Sequence, residues 1–289
     1  MFALTQSKSP SRSHLNSARS GRLTAACFAV LASLVFSASA KADAVADIKR
    51  KGTLVAGVKD SLPPFGYIDE KSREIVGYDI DFVKAIAAKL GVKVELKPVT
   101  SASRIAMLTE KNIDMIVATM TKNPERAQQV DFSHAYFLTG QKFIAAKGKV
   151  KTLKDLETAR IGTAKGSTSE KNVAAALPKA NVLSFDDYPQ AVLALQQGKV
   201  QAVTTDEAIL AGLLAKMPNK EKFEIPEVKI SDEPYGIAMR KGEKALVDLV
   251  NQTLLEMEKS GEAGKIFEKW FGPQSASPLK RTFKITTEK

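Results

Sequence analysis

The sequence predicts an α/β protein built on largely parallel sheets, and three observations carry that prediction. Short β-rich runs alternate with segments of helical periodicity along most of the chain. The composition, 44% hydrophobic and 26% charged over 289 residues, is that of a globular protein. No stretch beyond the N-terminal 42 residues approaches the roughly 18 consecutive apolar residues of a membrane span.

Residues 1–42 stand apart from this pattern. They hold five basic residues (Lys8, Arg12, Arg19, Arg22 and Lys41) and no acidic one, then an almost wholly apolar run over 23–36 and the small-residue string SASAKADA. That is the layout of a cleavable secretory signal peptide, cut after Ala40 or Ala42. Cleavage would remove Cys27 and His14, leaving no thiol and His134 as the one histidine. The apolar run lies mainly after Cys27, the reverse of the order a lipid anchor needs. Losing the five leader charges takes the net charge from +11 to +6, a surplus that suits an anionic partner. The lysines are scattered singly without interleaved aromatics, so no nucleic acid is expected.

The elements follow in order. Residues 53–58 (TLVAGV) read as a first strand. Ile80, Val83, Ile86, Ala87 and Leu90 recur at helical spacing, and Gly91 follows as a stop. Val92, Val94 and Leu96 alternate with charged residues, giving a half-exposed strand; residues 101–110 suit a short helix and 113–118 a buried strand. A second set begins near Gln141: strand KFIAA, helical turn TLKDL, strand ARIGTA, helix 169–177, strand VLSF, a helix from Tyr188 halted by Gly198, strand QAVTT and helix 207–216. After Pro234 come strand GIAMR, a long helix over 244–260, and an amphipathic helix whose Ile266, Phe267, Trp270 and Phe271 read as core packing.

Several chemistries are excluded. Without cysteine and with one histidine, the mature chain has no thiolate nucleophile and no Cys/His zinc site, so neither metal nor cofactor is expected. His134, in DFSHAYF, has no nucleophile elbow to serve and reads as structural or superficial. GTAKGSTSE is not a phosphate loop, because Lys165 precedes Gly166 instead of following it.

The strings VAGVKDSLPPFGY, IVATMTKNPERAQQVDFSHAYF, GTAKGSTSEKN, TTDEAIL and EPYGIAMRKG, in that order, resemble the extracytoplasmic amino-acid-binding proteins of ABC importers. The similarity is greatest to the polar-amino-acid group and its glutamate/aspartate binders, and covers essentially the whole mature chain. Its most specific piece is the spacing Thr121, Arg126, Asp131, Phe132, Ser133. The resemblance implies a two-lobed type II periplasmic-binding-protein fold with two crossover strands as hinge, near residues 141–145 and 231–236. Lobe 1 would comprise 43–141 and 236–289, and lobe 2 would comprise 142–235. It also implies a periplasmic, monomeric, non-enzymatic protein that delivers its ligand to an inner-membrane permease. The same fold carries cyclohexadienyl dehydratases, the enzymatic alternative.

Chain physics agrees with a site at strand ends, where helix N-termini present free N–H groups. Thr119 and Thr121 follow the strand IDMIVA, and Ser167 and Thr168 open a helix after ARIGTA; both places suit a carboxylate. In the family the residue matching Arg126 grips the ligand α-carboxylate, with Thr121 and Thr168 helping, and the one matching Asp206 takes the ammonium group. Read alone, Arg126 is an exposed residue of a polar helix start and Asp206 a helix N-cap. Lys59 stands where relatives that bind basic amino acids are acidic, and Arg104 matches an arginine that reaches the distal carboxylate of dicarboxylates. Leu62 replaces the aromatic platform of the basic-amino-acid binders. Phe65, Tyr67 and Tyr188 remain as walls, with Tyr188 able to donate a hydrogen bond. Three cations against Asp206 leave +2, which glutamate or aspartate, at −1, would meet better than glutamine or lysine.

Overall fold

The structure is a computed structural model and describes residues 43–287. The expected signal peptide, with Cys27, His14 and the cleavage positions, lies outside the described residues.

Helix α1 (Ala44–Lys51) opens the fold, and nothing in the sequence pattern had marked it. The Asp43 carboxylate accepts from the Val45 N–H at 3.0 Å, and Gly52 closes the helix at φ 69°. Strand β1 (Thr53–Val58) agrees with expectation. A small antiparallel sheet follows, β2 (Ser61–Leu62), β3 (Gly66–Ile68) and β4 (Ile75–Val76). Its strands are too short to leave a two-residue period in the sequence.

Helix α2 (Tyr78–Leu90), capped by Gly91, and strand β5 (Lys93–Pro98) are as expected; α3 is shorter (Arg104–Thr109). The buried run 113–118 forms only a two-residue strand, β6 (Met115–Ile116), before α4 (Pro124–Ala127).

The largest departure is β7, which runs 17 residues from Val130 to Ala146, whereas only its last part was read as a strand. Beyond it come β8 (Arg160–Ala164), α5 (Thr168–Ala176), β9 (Asn181–Phe185), α6 (Tyr188–Gln196), β10 (Ala202–Asp206), α7 (Glu207–Lys216) and β11 (Phe223–Glu224). Strand β12 (Ser231–Arg240) starts before Pro234, not after it. Pro234 stands beside an irregularity, the pairing with β7 slipping at Tyr235 and Gly236, where a missing N–H is tolerated; its carbonyl accepts from the Lys122 N–H at 2.8 Å. Helices α8 (Lys244–Ser260) and α9 (Glu262–Phe271) end the regular structure.

One sheet joins nearly everything, in the order β5-β1-β6-β12-β7-β10-β8-β9, with β11 on β7. Each flank is parallel, but β12 pairs antiparallel with β6 and β7, and β7 antiparallel with β10. The expectation of largely parallel sheets therefore holds for the flanks and fails at the centre. Parallel neighbours need helical crossovers, which each flank has. The two central strands instead carry the chain out of one flank and back again, so they run in opposite directions. The expected crossovers at 141–145 and 231–236 fall inside β7 and β12.

The aromatic core gathers beside this central pair. Phe137 of β7 lies 5.0 Å from Phe65, 5.1 Å from Phe271 and 5.2 Å from Phe283 between ring centroids, and Tyr235 of β12 lies 5.5 Å from Phe65. Ile266, Phe267 and Phe271 of α9 are buried, as their spacing predicted, while half-buried Trp270 donates to Asp81 at 2.7 Å. Helix α7 packs directly on the loop after β2. A Cβ at Gly212 would stand 1.8 Å from the Pro63 carbonyl oxygen, so only glycine permits this approach.

Candidate functional site

Five charged side chains that sequence logic would leave in water are buried. Lys59 is 1% exposed, Arg104 2%, Arg126 7%, Asp206 3% and Glu233 2%. Charges are withdrawn from water at a cost of several kcal/mol each unless something answers them, so such a concentration marks a site.

Lys59 directly follows β1, and its Nζ donates to Ser101 Oγ at 3.3 Å. Burial pulls its pKa from 10.5 down to about 8, the nearby Arg104 adding to the effect and Asp187 opposing it. Arg104 opens α3 and donates from Nη1 to the Ala118 carbonyl at 2.6 Å, while its Nε has no partner among the described residues. Burial and the Arg126 charge lower its pKa to about 9. Among the described residues, none of Lys59, Arg104 and Arg126 has a carboxylate oxygen within 4.0 Å.

Arg126 is held by α4, where the Asn123 side chain caps its N–H at 2.9 Å. Its guanidinium donates to the Thr121 carbonyl at 2.9 Å and to the Gly166 carbonyl at 3.4 Å, spanning from one flank of the sheet to the other. Its pKa is lowered, chiefly by burial. Lys171 with Glu125, and Ser61 with Asp187, also bridge the flanks. The exposed-arginine reading of Arg126 therefore fails.

Asp206 ends β10 in the N-cap position of α7, yet its side chain makes no capping bond. One oxygen accepts from the Tyr235 hydroxyl at 2.5 Å, and Oδ1 has no partner among the described residues. Burial, reinforced by Glu233, raises its pKa to about 7 against the opposing pull of Tyr235, Arg126 and Arg104. Tyr188 begins α6 and donates to Ser169 Oγ at 3.3 Å.

Two further expected carboxylate contacts have one polar group each already partnered, the Thr119 N–H and the Ser167 hydroxyl. Thr119 sits at φ 48° with its N–H donated to Asp79 at 3.0 Å. The Ser167 hydroxyl caps α5 at the Glu170 N–H and donates to the Ala164 carbonyl at 2.6 Å. Phe65 is part of the aromatic core, and half-buried Tyr67 packs edge-on against Trp270.

Glu233 was missed. Its Oε2 accepts from Thr121 at 2.6 Å and Thr168 at 2.9 Å, and its Oε1 from Asn172 at 2.8 Å and Ser231 at 2.5 Å. It lies inside the expected crossover at 231–236, but nothing in the local pattern distinguishes a glutamate that meets distant threonines from one in water. Asp79, wholly buried and accepting from Tyr136 and Thr119, was missed as well; burial raises its pKa to about 7. These two alter the charge count. The three cations now face Asp206 and Glu233, leaving +1 in place of +2, and an ionised Asp79 leaves the cluster neutral.

The similarity to known proteins is extensive. The sequence pattern of the bacterial extracellular solute-binding proteins, family 3, matches residues 54–273. The ABC transporter glutamine-binding protein GlnH of Bacillus subtilis is 40% identical over 253 residues, covering 86% of this chain and 92% of that protein. The glutamate/aspartate import solute-binding protein of Escherichia coli is 32% identical over 254 residues, covering 83% of this chain and 84% of that one. Among solved structures, an ancestral arginine-binding protein bound to glutamine superposes with a TM-score of 0.73 at 44% identity, over 76% of this chain and 98% of that one. With the type II periplasmic-binding-protein fold on both sides of that superposition, the chain belongs to the bacterial extracellular solute-binding proteins, family 3.

Proposed function

We propose that the chain is the solute-binding component of an ABC importer and captures glutamate or aspartate between two lobes, residues 43–141 with 236–289 and residues 142–235. It acts as a periplasmic monomer, delivers the ligand to a permease in the inner membrane, and catalyses nothing. The ligand α-carboxylate meets Arg126, Thr121 and Thr168, its ammonium meets Asp206, and its side-chain carboxylate meets Lys59 and Arg104. The observation that carries the acidic side chain is the pair Lys59 and Arg104, two buried cations without a carboxylate in contact among the described residues. Net charge no longer carries it, because Glu233 and Asp79 offset most of the surplus. Both carboxylates, however, are occupied by hydroxyl, amide and backbone donors and do not contact the two cations.

Glutamine is the second reading, favoured by the near-neutral cluster and by the name of the 40% identical relative. Calorimetric titration decides between them, using protein stripped of ligand by unfolding and refolded, against glutamate, aspartate, glutamine and arginine. Tighter binding of glutamate or aspartate than of glutamine is expected. A preference for glutamine would remove the dicarboxylate assignment and keep solute capture; turnover of prephenate would remove the non-enzymatic reading.

A further inference from the structure

Glu233 stands on β12, one of the two strands between the flanks, with its carboxylate between a hydroxyl from each side. Thr121 follows β6 on one flank, Thr168 begins α5 on the other, and their oxygens are 3.4 Å apart across Glu233 Oε2. A hydroxyl has one proton to donate, and an ionised carboxylate can only accept. With both protons directed at Glu233, neither threonine can donate to a second carboxylate without first releasing the glutamate.

We infer that Glu233 is an internal competitor for the ligand α-carboxylate, a positioning residue that holds the Thr121 and Thr168 hydroxyls in its own service and so weakens ligand binding. The inference rests on the proposed assignment of the α-carboxylate to those two threonines. The remaining geometry fits a permanently seated competitor. Asn172 of α5 and Ser231 hold the other oxygen, so Glu233 stays in place when the threonines change partner. Its charge also lies close enough to Asp206 to raise that carboxyl's pKa, and therefore close enough to oppose an incoming anion.

Glu233→Gln tests this. The amide nitrogen can donate to the threonine lone pairs, which frees both hydroxyl protons and deletes the charge. Calorimetry with glutamate and with glutamine should show Kd values lower in the variant by on the order of tenfold, and by similar factors for the two ligands. The α-amide of glutamine can itself donate to hydroxyl lone pairs and should gain less than about twofold. A merely structural role for Glu233 would not separate a ligand from its α-amide. Unchanged or weaker binding by the variant, or an equal gain for the α-amide, overturns the competitor. If Glu233→Gln gives no cooperative thermal transition, Glu233→Asp draws the carboxylate back by one methylene and must tighten binding in the same direction; failure to do so overturns it equally. Wild-type protein that binds neither amino acid overturns the ligand reading, and the competitor with it. Wild-type binding with no gain in the variants overturns the competitor alone.

Discussion

Lys59→Met should make the unliganded protein more stable and the ligand complex weaker. In the folded protein the Lys59 ammonium is buried and its pKa falls from 10.5 to about 8. Below pH 8 both folded and unfolded chains carry the proton, but only the unfolded chain solvates it, and the whole penalty is present. Between pH 8 and 10.5 the folded protein sheds a proton that the unfolded chain keeps, so the penalty shrinks as pH rises. At 1.36 kcal/mol per decade, the displacement amounts to about 3 kcal/mol. Methionine forfeits the hydrogen bond to Ser101, worth about 1 kcal/mol, leaving a net gain on the order of 2 kcal/mol at pH 7. For a protein of this size that is roughly 4 to 8 °C in melting temperature.

Thermal unfolding of both proteins at several pH values between 7 and 10.5 measures it, and the gain should shrink toward the upper end. Calorimetry on the same samples should show glutamate weakened by about 2 kcal/mol and glutamine much less, at fixed salt because these interactions are screened. A variant no more stable at pH 7, or a gain that ignores pH, would refute the buried-charge argument. An unchanged glutamate-to-glutamine ratio would leave side-chain reading to Arg104.

Arg126→Ala should weaken every amino acid by a similar factor, on the order of 3 kcal/mol, because the α-carboxylate is common to all; near-normal glutamate binding by calorimetry would contradict it. Gly212→Ala puts a Cβ 1.8 Å from the Pro63 carbonyl oxygen, so α7 and the β2 loop must separate. Ligand affinity should drop and scattering with saturating ligand should report a larger radius than wild type, whereas superimposable profiles would mean that this contact does not limit closure. Ligand binding near pH 6 should release a proton, since Asp206, with a pKa raised to about 7, must ionise to receive an ammonium group. Near pH 8.5 it should take one up, since Lys59, with a pKa of about 8, must charge to meet a carboxylate. Titrations in buffers of different ionisation enthalpy read this change of sign; Asp206→Asn should abolish the release and Lys59→Met the uptake.

The longer helices were legible because they write their own period and stop: α7 and α8 occupy the residues their patterns marked, and Gly91 and Gly261 end helices in the left-handed region, whereas α1 and α4 were too short to stand out. Most flank strands were legible as apolar runs, and β5 as an alternation of apolar and charged residues. Strand β7 was not, because its first half mixes Asp131, Ser133, His134 and Thr139 with aromatics, and its faces meet different surroundings along its length. Arg126, Lys59 and Arg104 could be named only through the family resemblance, since nothing in their neighbours' periodicity tells a buried cation from a solvated one. Glu233 escaped both routes. Its role depends on Thr121 and Thr168, 112 and 65 positions away in the chain, and no local pattern encodes a meeting of that range.

The aromatic core around Phe137 has a consequence for how the chain is made. Phe65 and Tyr78 are synthesised early, yet the rings that close over them from the C-terminal part of the chain, Tyr235, Phe267 and Phe271, come late. A nascent chain halted before Phe267 has β1, α2 and β5 but lacks the helix that covers their aromatic face. Contacts of such long sequence separation form slowly and only after the intervening residues are available. The aromatic cluster beside the segment that carries Lys59 is therefore completed only by residues made near the end of translation.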